Sequence, residues 1–187
     1  RIVTIEDAYE LGLESFEHLH PDHDALQSRP ANIEGQGEVT LADLTKMALR
    51  MDPDRVIVGE VRGAEAFPML MAMSQGNNGS MCTLHADSTR SIFPKLAAYM
   101  SMSSTSLPIE TTNLLIASSV HFVVHIEVVR GLRRVSSIRE IVDSDGSTIV
   151  SNEVVRNFNG EVGFGYPLRE ETRDLFEEFG FREEMLR

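Results

Sequence analysis

Three apolar segments of the 187-residue chain each end in side chains that can handle a proton, a magnesium ion or a phosphate group. These side chains are Glu6 and Asp7 after residues 2–5, Glu60 after residues 56–59, and His85 after residues 81–84. Taken singly, a carboxylate in such a place is commonly a helix cap or a solvated turn residue, and a histidine is commonly a structural hydrogen-bonding group. The order carboxylate, carboxylate, histidine favours a shared chemical site.

The elements that must position these groups are strands and helices in alternation. Runs of aliphatic and β-branched residues are typical of strands buried on both faces of a parallel sheet. Thr40 and Asp43 form a capping box before one helix, and further helices are predicted near 65–74, 91–100 and 108–119. This alternation predicts an α/β sheet, in which ligands bind beyond the carboxyl ends of the strands.

The pattern changes after about residue 120. Three strand-like runs follow, at 121–129, 133–142 and 147–158, and turn residues separate them, which predicts a β-meander. Pro167 then opens an acidic terminal helix. The apolar side of that helix is predicted to hold Leu168, Thr172, Leu175 and Phe179. We therefore predict a core domain over residues 1–125 and a second domain over residues 126–187, packed on the core or on a neighbouring subunit.

The composition of the chain limits the kinds of binding partner and the compartment that we expect for it. The formal net charge is −12, which argues against a chain that holds nucleic acid through general attraction to phosphates. No apolar run approaches the roughly 18 residues that a membrane-spanning helix needs, and residues 1–7 lack the layout of a signal peptide. The single cysteine, Cys82, cannot form an intrachain disulfide, which fits a reducing cytosol. The predicted compartment is the cytoplasm.

The same segments resemble the motifs of a known family in order and spacing. Residues 1–7 (RIVTIED) resemble the Asp box of the type II/IV secretion system ATPases. Residues 52–63 resemble their Walker B segment, with glutamate instead of aspartate, and residues 79–87 resemble their His box. Residues 29–40 look closest to the tight-adherence pilus and conjugation branches. The resemblance covers roughly residues 1–125 and implies a RecA-like P-loop NTPase core, followed by the β-meander and the terminal helix.

The resemblance also implies roles for single residues in ATP hydrolysis with Mg²⁺. Glu6 would be the general base that orients the attacking water, and Glu60 would hold Mg²⁺ through coordinated water. His85 would contact the phosphate end of the site, and Arg62 would stabilise the charge that develops during phosphoryl transfer. The implied nucleotide-binding residues are Glu6, Asp7, Arg29 and Arg90. For Arg29 and Arg90 a surface or carboxylate-paired arginine is the alternative.

Two features depart from the family pattern. The chain has no Gly-x-x-x-x-Gly-Lys-Ser/Thr loop, because its only lysines, Lys46 and Lys95, follow no glycine-rich turn. In the family this phosphate-binding loop precedes the Asp box, so we expect the chain to be the C-terminal part of a longer enzyme and to bind ATP weakly or not at all alone. In addition, Asn77 and Asn78 stand where relatives commonly carry another histidine.

The resemblance implies that the full-length protein drives secretion or pilus assembly as a ring, expected to be a homohexamer. It would bind peripherally to an inner-membrane platform protein, on the cytoplasmic side. Two alternatives remain: a non-catalytic module that contributes ring contacts, and, more remotely, a DNA translocase or recombinase. Finally, His18, His20 and His23 stand beside Asp22 and Asp24, and we predict a solvated loop there rather than a zinc site.

Overall fold

A computed structural model describes residues 1–105, 107–158 and 160–182. The first of its two sheets is parallel, with the strand order β2-β1-β3-β4. Its strands are β1 (Ile2–Glu6), β2 (His23–Gln27), β3 (Arg55–Val58) and β4 (Met81–Cys82). The three strands predicted from the apolar runs are thus neighbours, which confirms the α/β class with a parallel sheet.

Helices α1 (Leu41–Ala48) and α2 (Ala66–Ser74) pack against this sheet. The predicted capping box begins α1: the Asp43 amide donates to Thr40 Oγ1 and the Thr40 amide donates to Asp43 Oδ2, both at 3.1 Å. The Thr40 hydroxyl also donates to Asp43 Oδ2 at 2.7 Å, and this hydrogen bond, followed by the one from the Thr40 amide, lowers the pKa of the Asp43 carboxyl below its usual value. The core between sheet and helices is aliphatic, and its centre includes Val3, Ile5, Val56, Val58 and Leu70.

The second sheet is an antiparallel meander, as predicted. Its strands, in the order β5-β6-β7-β8, are β5 (Phe122–Val129), β6 (Leu132–Ser144), β7 (Ile149–Phe158) and β8 (Glu161–Phe164). Two more helices, α3 (Ile92–Ser101) and α4 (Ile109–Ser119), precede it. Helix α4 contacts α2 and α3 on one side and strands β6 and β7 on the other, so it joins the two sheets. None of the described helices is long and apolar enough to cross a membrane.

The prediction of a solvated loop around the three histidines is wrong for His23. This residue opens β2, an edge strand that pairs in parallel with β1, and its Nε2 lies 3.0 Å from Thr4 Oγ1. The strand is held by main-chain hydrogen bonds to β1, which an apolar pattern does not reveal. Strand β8 was also missed. The predicted domain boundary after residue 125 falls inside β5 and stays a prediction. The structure does not describe Asn159, which the sequence places in a turn, or residues 183–187.

The terminal helix is α5 (Glu170–Glu178), and its predicted apolar side is partly wrong. Leu168 and Thr172 are half-buried, but Leu175 is 52% exposed and Phe179 is 85% exposed. Phe176 takes their place, because its ring stacks on Phe122 of β5 at a centroid distance of 5.7 Å. The position of the partner sheet, and not the apolar periodicity of the helix, selects the buried face.

Glu140 anchors α5 to the second sheet. This carboxylate on β6 is fully buried and accepts hydrogen bonds from the Arg169 amide at 3.1 Å, from Arg169 Nε at 3.2 Å and from Thr172 Oγ1 at 2.5 Å. Glu140→Gln is expected to lower the free energy of unfolding by about 3 kcal/mol, because the substitution removes a fully buried charge that pairs with the half-buried Arg169 guanidinium. Urea unfolding measures this loss. The control Glu161→Gln changes an exposed carboxylate at the sheet's end, and an equal loss in both variants would refute the anchor.

Candidate functional site

The parallel register brings the three predicted strand ends side by side. Ile5 of β1 pairs with Val58 of β3, and Val58 pairs with Cys82 of β4. Main-chain hydrogen bonds continue one step further, from the Gly59 amide to the Ile5 carbonyl at 2.8 Å and from the Val61 amide to the Thr83 carbonyl at 2.8 Å. The residues that follow each strand therefore leave the sheet at one common edge.

Four side chains at this edge form a continuous chain of charge contacts. Arg62 lies between two carboxylates, with Nη2 in an ion pair with Asp7 and Nε 3.5 Å from Glu60 Oε2. The other carboxylate oxygen of Glu60 lies 3.2 Å from His85 Nε2. We call Asp7, Glu60, Arg62 and His85 the strand-end cluster. It joins β1, β3 and β4, the three strands singled out from the sequence.

The strand-end cluster is open to solvent to different degrees. The Glu60 side chain is 32% exposed, whereas the His85 side chain is 90% exposed. Within the described residues, no group of three or more acidic, histidine or cysteine side chains could by itself enclose a metal ion. Mg²⁺ commonly keeps several waters and takes only one or two carboxylates, with phosphate oxygens completing its shell. The carboxylates of Glu60 and Asp7 fit that mode of binding.

Glu6 is buried beside the cluster and is held by the backbone. It is 4% exposed, and its Oε1 accepts hydrogen bonds from the amides of Glu10 at 2.9 Å and Leu11 at 3.0 Å. This is the turn-capping role that the sequence left open as the alternative. A Cβ atom at Gly59 would lie only 3.1 Å from Glu6 Cγ, so the glycine allows the two strand ends to approach closely. Glu6 Oε2 accepts no hydrogen bond from any described residue.

Several residues that position the cluster were not found from the sequence. Glu65 Oε1 accepts from the amides of Arg62 at 2.5 Å and Gly63 at 2.8 Å, which fixes the turn that carries Arg62. Its spacing from Arg62 is a local capping signal that could have been recognised. Lys95 Nζ donates to the His85 carbonyl at 2.5 Å. That contact joins a loop to a helix, and no local pattern predicts it.

His125 ties the second sheet to the loop after His85. Its Nε2 lies 3.2 Å from the Ala86 carbonyl and its Nδ1 lies 2.6 Å from Ser136 Oγ. Nε2 carries a proton in the first contact, because a carbonyl oxygen can only accept, and the Ser136 hydroxyl also donates to the His125 carbonyl at 3.3 Å. The loop that carries His85 is therefore held by helix α3 through Lys95 and by the second sheet through His125.

The structure does not bring Arg29 or Arg90 to the strand-end cluster. Arg29 Nε donates to the Gly37 carbonyl at 2.8 Å, within the loop that precedes α1. Arg90 lines a separate cavity with Arg139 and Arg156. Cys82 lies at the end of β4, where burial raises the pKa of its thiol to about 12, so the thiol stays protonated and is a poor nucleophile at neutral pH.

Known proteins share long stretches of this sequence. The family model described as "Type II/IV secretion system protein" matches residues 1–161. A Mycobacterium tuberculosis protein named for conjugal transfer is 37% identical over 147 residues, which are 78% of this chain and 40% of that protein. The type IV secretion system protein VirB11 of Brucella suis is 35% identical over 129 residues, which are 67% of this chain and 35% of that protein. The chain thus spans about 40% or less of these relatives.

Two solved structures resemble the fold. The VirB11 ATPase of the Brucella suis type IV secretion system, solved with sulphate, aligns with a TM-score of 0.62 and 32% identity over 74% of this chain and 39% of that chain. The Legionella pneumophila ATPase DotB aligns with a TM-score of 0.52 and 18% identity, over 95% of this chain and 39% of that chain. The DotB likeness concerns the fold alone.

Proposed function

This chain belongs to the type II/IV secretion system protein family, and from that premise we propose that it supplies the magnesium-binding and phosphate-contacting part of the ATP site of a secretion motor. The observation that carries the proposal is the chain of contacts Asp7–Arg62–Glu60–His85. It places two carboxylates, one guanidinium and one exposed imidazole at the sheet edge where α/β proteins bind ligands. The relatives named for conjugal transfer and type IV secretion support the motor function.

In this proposal Glu60 has the central role. Its carboxylate would hold water molecules in the shell of Mg²⁺, and the bound ion would neutralise phosphate oxygens during hydrolysis. Arg62 orients the Glu60 carboxylate, and Asp7 holds the other end of the Arg62 guanidinium. Arg62 is also the guanidinium of the strand-end cluster and could stabilise charge on a transferred phosphoryl group. His85, which is largely exposed and in contact with Glu60, would donate to a phosphate oxygen.

Glu6 is proposed to orient the attacking water through Oε2. Its Oε1 is fixed by two backbone amides, so the carboxylate has little freedom to rotate. A general base needs a fixed position near the nucleophile, and this capping geometry provides it. Capping and catalysis are compatible here because they use different oxygen atoms of one carboxylate.

The activity itself is proposed for the full-length protein. A phosphate cradle of the Gly-x-x-x-x-Gly-Lys-Ser/Thr kind is not among the 187 residues, so the β- and γ-phosphates would be held by residues outside them. We further propose a homohexameric ring that binds an inner-membrane platform protein from the cytoplasmic side and drives secretion or pilus assembly. The second candidate is a ring-interaction module without hydrolysis. The capping role of Glu6 favours it, because that role needs no catalysis.

ATP hydrolysis by the full-length protein, with Mg²⁺ and with excess EDTA, tests the proposal. We expect turnover that requires Mg²⁺ and that duplex DNA does not accelerate, together with no turnover by residues 1–187 alone. Absence of hydrolysis in a full-length protein whose sequence contains the phosphate-binding loop would favour the non-catalytic module. Stimulation by DNA would favour the translocase alternative, against which the net charge of −12 argues.

A further inference from the structure

A cavity of about 350 Å³ lies between the loop that follows His85 and strands β6 and β7, apart from the strand-end cluster. Among the described residues, three arginines, Arg90, Arg139 and Arg156, line it together with Glu153 and neutral polar side chains. Its volume lies at the lower end of the range that small-molecule sites occupy. We propose that this cavity binds a small dianion of the phosphate class, held by the three guanidinium groups.

The charges around the cavity do not balance. Glu153 is the one carboxylate in its lining, and both Arg139 and Arg156 share it, at 3.4 Å and 2.6 Å. No described carboxylate lies within 4.0 Å of the Arg90 guanidinium. Three guanidiniums against one carboxylate leave two positive charges in one cavity of a strongly acidic protein. Arg139 is buried, whereas Arg90 and Arg156 are exposed at the mouth of the cavity, so a bound anion would replace water as the partner of their charges.

Arg139 is the buried arginine of the cavity, and its guanidinium is held in a fixed orientation. Its side chain is 4% exposed, and Nε donates to Thr89 Oγ1 at 3.0 Å, which sets the plane of the guanidinium. Its contacts with the Ser151 carbonyl at 3.5 Å and with Glu153 at 3.4 Å are long. Burial lowers the pKa of Arg139, and the charges of Arg90 and Arg156 lower it further, against the opposing effect of Glu153. This pattern agrees with guanidiniums that face one another across the cavity.

The chemistry of the lining suits a phosphate dianion. A guanidinium presents a planar fork of donors that matches two oxygens of a phosphate, and a dianion matches the two excess positive charges. Ser88, Asn152 and Tyr166 add neutral hydrogen-bonding groups at the rim. The ligand could be free phosphate or pyrophosphate, or the phosphate groups of a nucleotide, and these sources share the same recognition.

Titration calorimetry of the 187-residue chain with inorganic phosphate, pyrophosphate and ADP, all without Mg²⁺, tests this inference. Saturable binding is expected, and Arg90→Gln and Arg156→Gln should each weaken it roughly tenfold or more, as expected for loss of a charge-assisted hydrogen bond. If ADP binds more tightly than pyrophosphate, the natural ligand of the cavity is a nucleotide. If pyrophosphate binds more tightly, the ligand is a free phosphate compound. Arg90 makes no described side-chain hydrogen bond, so its replacement should leave the fold intact.

Two controls separate this cavity from other sites. Arg133→Gln removes an exposed guanidinium elsewhere on β6, and Arg62→Gln removes the guanidinium of the strand-end cluster. Both should leave the affinity for phosphate within about twofold of the unmodified chain. Loss of binding in Arg62→Gln with none in Arg90→Gln would place the anion at the proposed ATP site and overturn the inference. The inference would also be overturned if Arg133→Gln lowered the affinity for phosphate as much as Arg90→Gln does, or if no saturable binding were seen in the millimolar range.

Discussion

Replacing Glu60 by glutamine is expected to reduce ATP hydrolysis by the full-length protein by about 100-fold or more. Among the ion pairs of the described residues, Glu60 alone joins Arg62 to His85, so its charge orients the strand-end cluster. The amide has nearly the same shape but carries no negative charge for Arg62 or for water around Mg²⁺. The measurement is the steady-state rate at saturating ATP and Mg²⁺.

Glu127→Gln is the matched control for this experiment. It removes an exposed carboxylate from β5, away from the parallel sheet. We expect the control to keep the rate of the unmodified protein. A Glu60→Gln variant that folds and hydrolyses ATP within about threefold of the unmodified rate would exclude Glu60 from the magnesium role.

Glu6→Gln is expected to keep ATP binding and to lose turnover, again by about 100-fold or more. Glutamine retains a carbonyl oxygen in the place of Oε1, so the amides of Glu10 and Leu11 keep their acceptor and the turn should hold. The lost function is that of Oε2, which becomes an amide nitrogen and cannot accept a proton from water. The two measurements are nucleotide affinity and the rate of hydrolysis.

Glu10→Gln serves as the control, because Glu10 is an exposed carboxylate in the same turn. Glu6→Ala is the informative companion, since it removes the cap as well and should lower the free energy of unfolding by about 1–3 kcal/mol. Unchanged hydrolysis in Glu6→Gln together with reduced stability in Glu6→Ala would leave Glu6 as a structural cap only.

The sequence predicted those parts of the fold whose determinants are local. The apolar runs of β1 and β3 and the capping box at Thr40 depend on neighbouring residues, and all were found at their predicted places. The meander was predicted for the same reason, because alternating residues and turn signals lie within one short window. In the site, strand order in a parallel sheet was enough to predict that Glu6, Glu60 and His85 lie at one edge.

The remainder depends on contacts between distant segments. Strand β2 has little apolar pattern and exists because it pairs with β1. The buried face of α5 is chosen by Phe122 and Glu140, which precede it by tens of residues. Likewise, nothing near Arg90 in the sequence indicates that it faces Arg139 and Arg156. Contacts between distant segments determine these features, and local residue patterns do not predict such contacts.

The charges at the strand ends predict that the strand-end cluster, with Glu6 beside it, binds a nucleotide poorly on its own. Glu6, Asp7 and Glu60 oppose a single guanidinium, so the edge of the sheet is acidic and repels phosphate unless cations accompany it. Mg²⁺ and a phosphate-binding loop would reverse this balance. The expected dependence of hydrolysis on Mg²⁺ follows from the charge of the cluster.

The central claim is that Glu60 holds the catalytic Mg²⁺ through water. The most direct test is the distance between Glu60 and Mg²⁺ in a structure of the full-length protein with Mg²⁺ and a non-hydrolysable ATP analogue. A carboxylate that reaches the ion through one coordinated water should lie about 4–5 Å from it. A separation greater than about 8 Å leaves no room for a single bridging water and would contradict the account.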